Sequence, residues 1–214
     1  MTINVNFDVR SDAPPGADPD KYSKKLREFH KQLWSKTLPN GSSMMLRDDA
    51  PNSYLFHDTD AGKFCLTRDS IVHSLIYVKR AAPIISQISK PKQARILSRF
   101  STVPGYIIFP GNRIGGKMTI NGARGCNARI CDRYDLTLEC IRRHYGSEAS
   151  PLSEVLFRYR DFFALFQSFD GYIEFFLLNE LWNHRLNRLN AFLPFDGSFP
   201  KQLLPKSLDD YETF

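Results

Sequence analysis

The chain has no run of about 18 apolar residues, so no membrane span is expected. Its opening, MTINVNFDVRSDAPPG, has no cationic stretch leading into an apolar run, so no secretory signal is read there. No internal repeat, low-complexity tract or clear linker divides it. Neither phosphate-loop pattern, G-x-x-x-x-G-K-[ST] or G-x-G-x-x-G, occurs. Cysteine is scarce: Cys65, Cys126, Cys131 and Cys140 are expected to stay reduced in a cytoplasmic protein. These absences leave a cytoplasmic chain with no membrane partner, and no cofactor or metal is called for.

What is present suffices for a packed domain. The 214 residues are 42% hydrophobic and 13% aromatic, with 17 phenylalanines, which supports a sizeable core and argues against disorder. Lys and Arg number 29 against 23 Asp and Glu, a net charge of +6. This surplus favours acidic partners such as nucleic acid or nucleotides, although many proteins of this charge have neither.

Periodicity outlines the elements. Ile3, Val5, Phe7 and Val9 alternate as in a half-buried strand. Asp18 before Pro19 marks a helix start, and Tyr22, Leu26, Phe29 and Leu33 carry one apolar face to about Trp34, opposite a lysine-rich face. Short strands are expected at Met44–Leu46, Tyr54–Phe56 and Phe64–Leu66, and residues 69–80 suit helix or strand. A short helix is expected over 91–100, and Gly105–Pro110 (GYIIFP) is the best strand, with Met118–Asn121 as its hairpin partner. Asp132 is expected to cap a helix running to Tyr145 and ended by Gly146. Ser150 and Pro151 begin the next helix, Asp170 and Gly171 mark a turn, and Tyr172–Trp182 reads as a central helix buried all round. The fold expected is one α+β domain, with a small antiparallel sheet packed on a C-terminal helical subdomain. Residues 1–125 form its mixed part, 130–190 its helical part and 191–214 an irregular tail.

The richest stretch chemically is Phe109–Arg133, FPGNRIGGKMTINGARGCNARICDR. It holds five of the twelve glycines and five cations, Arg113, Lys117, Arg124, Arg129 and Arg133, against one acid, Asp132. Glycine exposes backbone N–H groups and arginine supplies a rigid fork of donors, a combination that holds anions, phosphate most often. Arg113 and Arg124 are expected to grip phosphate, with Asn112 and Asn121 orienting the ligand and Arg129 and Arg133 adding charge. Gly115, Gly116 and Lys117 equally suit a tight hairpin turn.

On the following helix, Asp135, Glu139 and Arg142 share a face. That face reads as a solvated row of ion pairs, or as a site where Asp135, Glu139 and His144 orient arginines and transfer protons. Cys126, Cys131, Cys140 and His144 have nearly the spacing of a zinc site, although buried free cysteine is the commoner use. Arg68 and His73 (R-x4-H) resemble the motif of helical ribonucleases of defence systems and toxins, in which the pair polarises the RNA 2′-hydroxyl and phosphate. That class is all-helical, and this chain reads as mixed.

The segments FPGNRI, TINGARG, DRYDLTLECIRRHYG, SPLSEVL and DFFALF, with the opening FDVRSDAPPGADPD and LREFHKQLWSK, resemble an uncharacterised bacterial family, a domain of unknown function, over most of the chain. The resemblance implies a bacterial or phage-related cytoplasmic protein and a helical, basic tail longer than LDDYETF. It supplies no catalytic residue.

The leading functional expectation is a protein that binds, or also cleaves, nucleic acid or binds a nucleotide through the Arg/Gly-rich stretch, in a toxin or phage-defence setting. The alternatives are a non-catalytic protein–protein interaction module or homo-oligomer acting through the aromatic Phe157–Trp182 helices, and a small-molecule enzyme using the same polar cleft.

Overall fold

A computed structural model describes residues 2–70, 82–190, 196–202 and 207–209. Its sheet is a three-stranded antiparallel meander of β1 (Leu55–Thr59), β2 (Gly62–Ser70) and β3 (Tyr106–Pro110), with β2 central. Asp60 and Ala61 turn β1 into β2, pairing Thr59 with Gly62 and Leu55 with Leu66. β3 pairs with β2 from Ser70 opposite Tyr106 to Leu66 opposite Pro110. Every residue of β3 is buried, so its apolar run serves a strand covered on both faces.

The N-terminal helix comes in two pieces, α1 (Pro19–Tyr22) and α2 (Lys24–Trp34). Asp18 caps α1 as expected, accepting from Asp20 N–H at 3.0 Å. The break lies at Ser23, whose backbone is extended and whose hydroxyl accepts from Leu26 N–H at 3.1 Å. The hydroxyl thereby satisfies a donor that a continuous helix would have used internally. Residues 3–9 do not form a strand: Phe7 and Val9 are buried, Val5 is exposed, and only Asp8 bridges Thr102. Met44–Leu46 likewise runs outside the named strands, tied by bridges Thr37–Ser43 and Arg47–Phe56.

Between β2 and β3 lie α3 (Ala82–Ile85) and α4 (Lys90–Phe100), the latter matching the helix expected over 91–100. Residues 71–81, which carry most of the ambiguous 69–80 stretch and His73 of the R-x4-H pair, lie outside the described residues. Arg68 itself is on β2, a strand rather than a ribonuclease-type helix.

After β3 the chain departs from the expected hairpin. Met118–Asn121 does not return as a strand. Thr119 accepts from Gly122 N–H at 3.2 Å and caps α5 (Ile120–Cys126), leaving β2 as the partner of β3. Next comes α6 (Tyr134–Tyr145), ended by Gly146 as expected. Asp132 is not its cap: Cys131 and Asp132 have φ of 53° and 60°, and Arg133 occupies the capping position. Tyr134 to Ile141 are all buried, so α6 is the central helix. Tyr172–Trp182 does not play that part: α9 (Phe169–Phe175) ends early, Leu177 turns left-handed at φ 58°, and Trp182 enters a two-stranded ribbon of β4 (Trp182–Asn183) and β5 (Arg188–Leu189).

The helices α7 (Ser153–Arg158), α8 (Arg160–Ala164) and α9 bury an aromatic lattice against the sheet. Phe166 meets Phe162, Tyr172, Phe175 and Phe176 with centroids 5.0 to 5.4 Å apart. Phe64 of β2 joins edge-on to Phe162 at 5.7 Å, and Trp34 of α2 meets Phe176 at a tilt, with centroids 5.1 Å apart. Most of the aromatic surface expected on Phe157–Trp182 is therefore interior, with Phe157 left outside. Asp170 and Gly171 sit within α9, not at a turn. A side chain at Gly171 would collide with the Phe166 carbonyl and come within 3.0 Å of Pro39, so glycine there permits close approach. Among the described residues no helix is long and apolar enough to cross a membrane.

Candidate functional site

The two arginines expected to share a phosphate are used in opposite ways. Arg124, on α5, is 0% exposed. Its Nη1 lies 2.5 Å from Asp69 of β2 and 3.7 Å from Asp132. Its Nε donates to Thr137 Oγ1 at 2.8 Å and its Nη2 to the Asp132 carbonyl at 3.1 Å, and the guanidinium lies 5.5 Å from the Tyr134 ring. Burial opposes its charge, but Asp69 and Asp132 outweigh burial and raise its pKa. Arg124 is a tie between helix and sheet and is withdrawn from any surface site. A buried ion pair of this kind survives because several hydrogen bonds replace lost water.

Arg133 and Asp135 are similarly interior, 5% and 1% exposed. Arg133 donates from Nε and Nη2 to the two Asp135 oxygens at 3.0 and 2.5 Å, and from Nη1 to Gln202 at 3.2 Å. Glu139 accepts from Arg142 at 2.9 Å and from Arg143 at 2.8 Å. Arg142 also holds Glu148, while Arg143 reaches the Gly197 carbonyl and lies over Phe199 at 4.8 Å. The polar face of α6 therefore clasps the 196–202 segment and not the glycine-rich loop. Asp135 and Glu139, expected as proton-transfer groups, each stand against arginine. His144 packs on Phe163 with centroids 5.2 Å apart, and burial lowers its pKa. Cys140 lies in the core, where burial pushes its thiol up to about 12, while Cys126 is exposed. Among the described residues no group of His, Cys, Asp and Glu is placed to hold a metal ion.

A second buried charged group escaped the sequence reading. Asp20 on α1 is 8% exposed, accepts from Arg68 N–H at 3.0 Å and lies 4.0 Å from the Arg68 side chain. Arg68 in turn lies over Tyr106 at 4.7 Å. Burial, with Asp18 and Asp69 adding to it against the pull of Arg68, pushes the Asp20 carboxyl up to about 7. Burial and the Arg68 charge push His30 down to about 3. The signal for Asp20 was its place in the first turn of a capped helix, which does not reveal burial.

The exposed chemistry lies on the loop between β3 and α5. Ile114–Gly116 makes a tight 3-10 turn, with Gly115 and Gly116 at φ of 60° and 71°, a left-handed geometry that glycine adopts freely. The loop is fastened at its root: Tyr159 donates to the Asn112 carbonyl at 2.7 Å. Arg113 is exposed beside Tyr159, and Asn121 and Arg129 are exposed on and after α5. Lys117 crosses to Glu154 at 3.3 Å. Arg158 reaches the same carboxylate at 2.9 Å and donates to the Met118 carbonyl at 2.8 Å. Lys117, Met118, Glu154 and Arg158, with Asn127 and Leu152, line an open cleft of about 330 Å³, whereas Arg113, Asn121 and Arg129 lie outside its lining. Two cations share one carboxylate, so the rim stays cationic, and Arg113 lies four residues before Lys117 on the same loop. The sequence reading missed Arg158 and Glu154, although their i,i+4 spacing on a helix was the available signal.

A larger groove of about 610 Å³ lies between α2 and residues 48–52. Its cations are answered within the groove: Asp48 binds both Arg27 and Lys31, and Glu28 and Asp49 add further negative charge. It therefore offers an anion little unpaired charge.

No curated protein and no solved structure matches the chain. Its sequence matches the profile of a family described only as of unknown function, DUF6994, over residues 3–214, and the chain belongs to that family.

Proposed function

We propose that this protein binds nucleic acid or a nucleotide through the exposed face formed by the Gly115–Gly116 turn, Arg113, Lys117 and Arg158. The single observation carrying the proposal is the 330 Å³ cleft whose cationic rim stands beside an open glycine turn. Lys117 is 63% exposed and Arg158 is 16% exposed, so one side chain is free to move to a phosphate while the other is already positioned. A ligand phosphate would exchange with Glu154, an exposed ion pair of low intrinsic strength, and so would displace little. The overall charge of +6 favours the encounter. The same reading places the chain in the cytoplasm, where thiols are kept reduced and a toxin or phage-defence role would meet its target.

Binding in this reading is separate from bond cleavage, because Asp135, Glu139 and His144 lie with the interior and the tail. The test is fluorescence anisotropy with labelled RNA, DNA and nucleotides across a salt series. Wild type is expected to bind at low salt, and Arg113→Ala and Lys117→Ala to weaken binding and each lower the salt slope by about 1. No binding by wild type, or binding unaltered in both variants, defeats the proposal.

A further inference from the structure

We infer that the ligand of this face is single-stranded nucleic acid, with a base stacked on Phe157; this rests on the binding reading above. Phe157 is on α7, one residue before Arg158 and three after Glu154. It is 62% exposed, an unusual place for a phenylalanine in a chain that buries Phe162, Phe163 and Phe166 almost completely. Arg160 lies over its ring at 4.8 Å, so the aromatic plane is already oriented by a guanidinium, and much of the ring still faces water. Met118, 46% exposed, precedes α5, and its carbonyl accepts from Arg158, the residue after Phe157. An exposed ring beneath Arg160 and next to Arg158 along α7, and a thioether next to Lys117 in the chain, put stacking surface and phosphate-binding charge close together, as unpaired strands require.

The same geometry disfavours a duplex. Paired bases hide their faces, so Phe157 and Met118 would meet only sugar and phosphate. Glu154, 79% exposed between Lys117 and Arg158, would stand against a rigid row of phosphates. A single strand bends past that carboxylate and offers it base amino groups as hydrogen-bond donors. The short helix α7 also presents a local platform and no long element to lie along a groove.

The experiment compares labelled single strands of about 12 nucleotides, RNA and DNA, with duplexes of equal length by anisotropy, a length within the usual span of single-strand sites. Single strands are expected to bind about tenfold or more tighter than duplex, reflecting one or more stacked bases. Phe157→Ala is expected to weaken single-strand binding about 5- to 150-fold, the loss of one stacked base, with the salt slope and circular dichroism unchanged. Phe157→Trp is expected to retain binding and to show indole fluorescence quenched by the strand. Duplex binding equal to single-strand binding, or full affinity in Phe157→Ala, overturns this inference and leaves the binding proposal standing. Absence of binding to every nucleic acid and nucleotide defeats both.

Discussion

Arg113 and Arg124 are eleven positions apart on one Gly-rich stretch, and the fold assigns them to different environments. Arg124 is wrapped by Asp69, Asp132, Thr137 and Tyr134, and every direction its fork points is filled by protein. Arg113 is exposed on a loop and, among the described residues, has no ion-pair partner at all. The interior arginine exchanged water for fixed acceptors and joins α5, α6 and β2. The exposed one keeps its hydration and can release it to a ligand. Counting basic residues along a segment thus says little about binding until each is known to be covered or bare.

Substitutions that exchange the two behaviours test this contrast. Arg124→Ala should have the largest effect, about 3–5 kcal/mol lost in a denaturant titration, because it strands Asp69 inside the protein. Arg124→Lys should recover little of that, since one ammonium cannot reach Asp69, Thr137 and the Asp132 carbonyl together. Retention of full stability by either variant would remove the distinction.

Glycines in the same stretch should separate in the same manner. A side chain at Gly111 would stand 2.5 Å from Thr67 Cγ2 on the sheet, so Gly111→Ala should cost about 1–3 kcal/mol by overpacking. Gly115 opens to empty space, and Gly115→Ala should cost only the left-handed backbone, about 1 kcal/mol. Melting temperatures of the two variants check the order.

The Asp20–His30 neighbourhood adds a pH signature to the buried side. Asp20 has a raised folded-state pKa, so its contribution is complete below its ordinary 3.8 and is lost as pH rises through about 7. His30 has a depressed one, so its contribution is present above its ordinary 6.5 and is lost as pH falls toward about 3. The two slopes oppose each other over their shared range. Asp20→Asn should leave stability rising with pH up to neutrality, and His30→Gln should leave it falling there. Denaturation midpoints measured from pH 4 to 8 would show both, and identical profiles in the two variants would contradict the assignment.

The smallest stability effects belong to the exposed face. Arg113→Ala and Lys117→Ala should shift stability by no more than about 0.5 kcal/mol, as isolated surface charges do. In urea titrations both should unfold with wild type, although the binding proposal expects each to lose affinity for nucleic acid.

Much of the scaffold was legible because its signals are local. GYIIFP is strand-like in composition and became β3; the Tyr134, Leu138, Ile141 and Tyr145 stripe became α6; Asp18 before Pro19 capped a helix. The errors arose where one local signal competed with another. Ser23 offers a cap inside an apolar stripe and divides the helix; Thr119 offers a cap inside an apparent hairpin strand and makes α5. Asp170 and Gly171 look like a turn, but Ser168 caps ahead of them and glycine fits under Phe166.

The candidate site was less legible, for a different reason. Residue order dictates which side chains lie on one face of α6 or one turn of a loop, because helical and turn geometry repeat over a few residues. It does not say that Asp69, 55 positions before Arg124, will lie against it, or that the 196–202 segment will occupy the arginines of α6. Those outcomes follow from long-range packing: solvent exclusion by the sheet and tail makes some charges structural and leaves Arg113, Lys117 and Phe157 facing water.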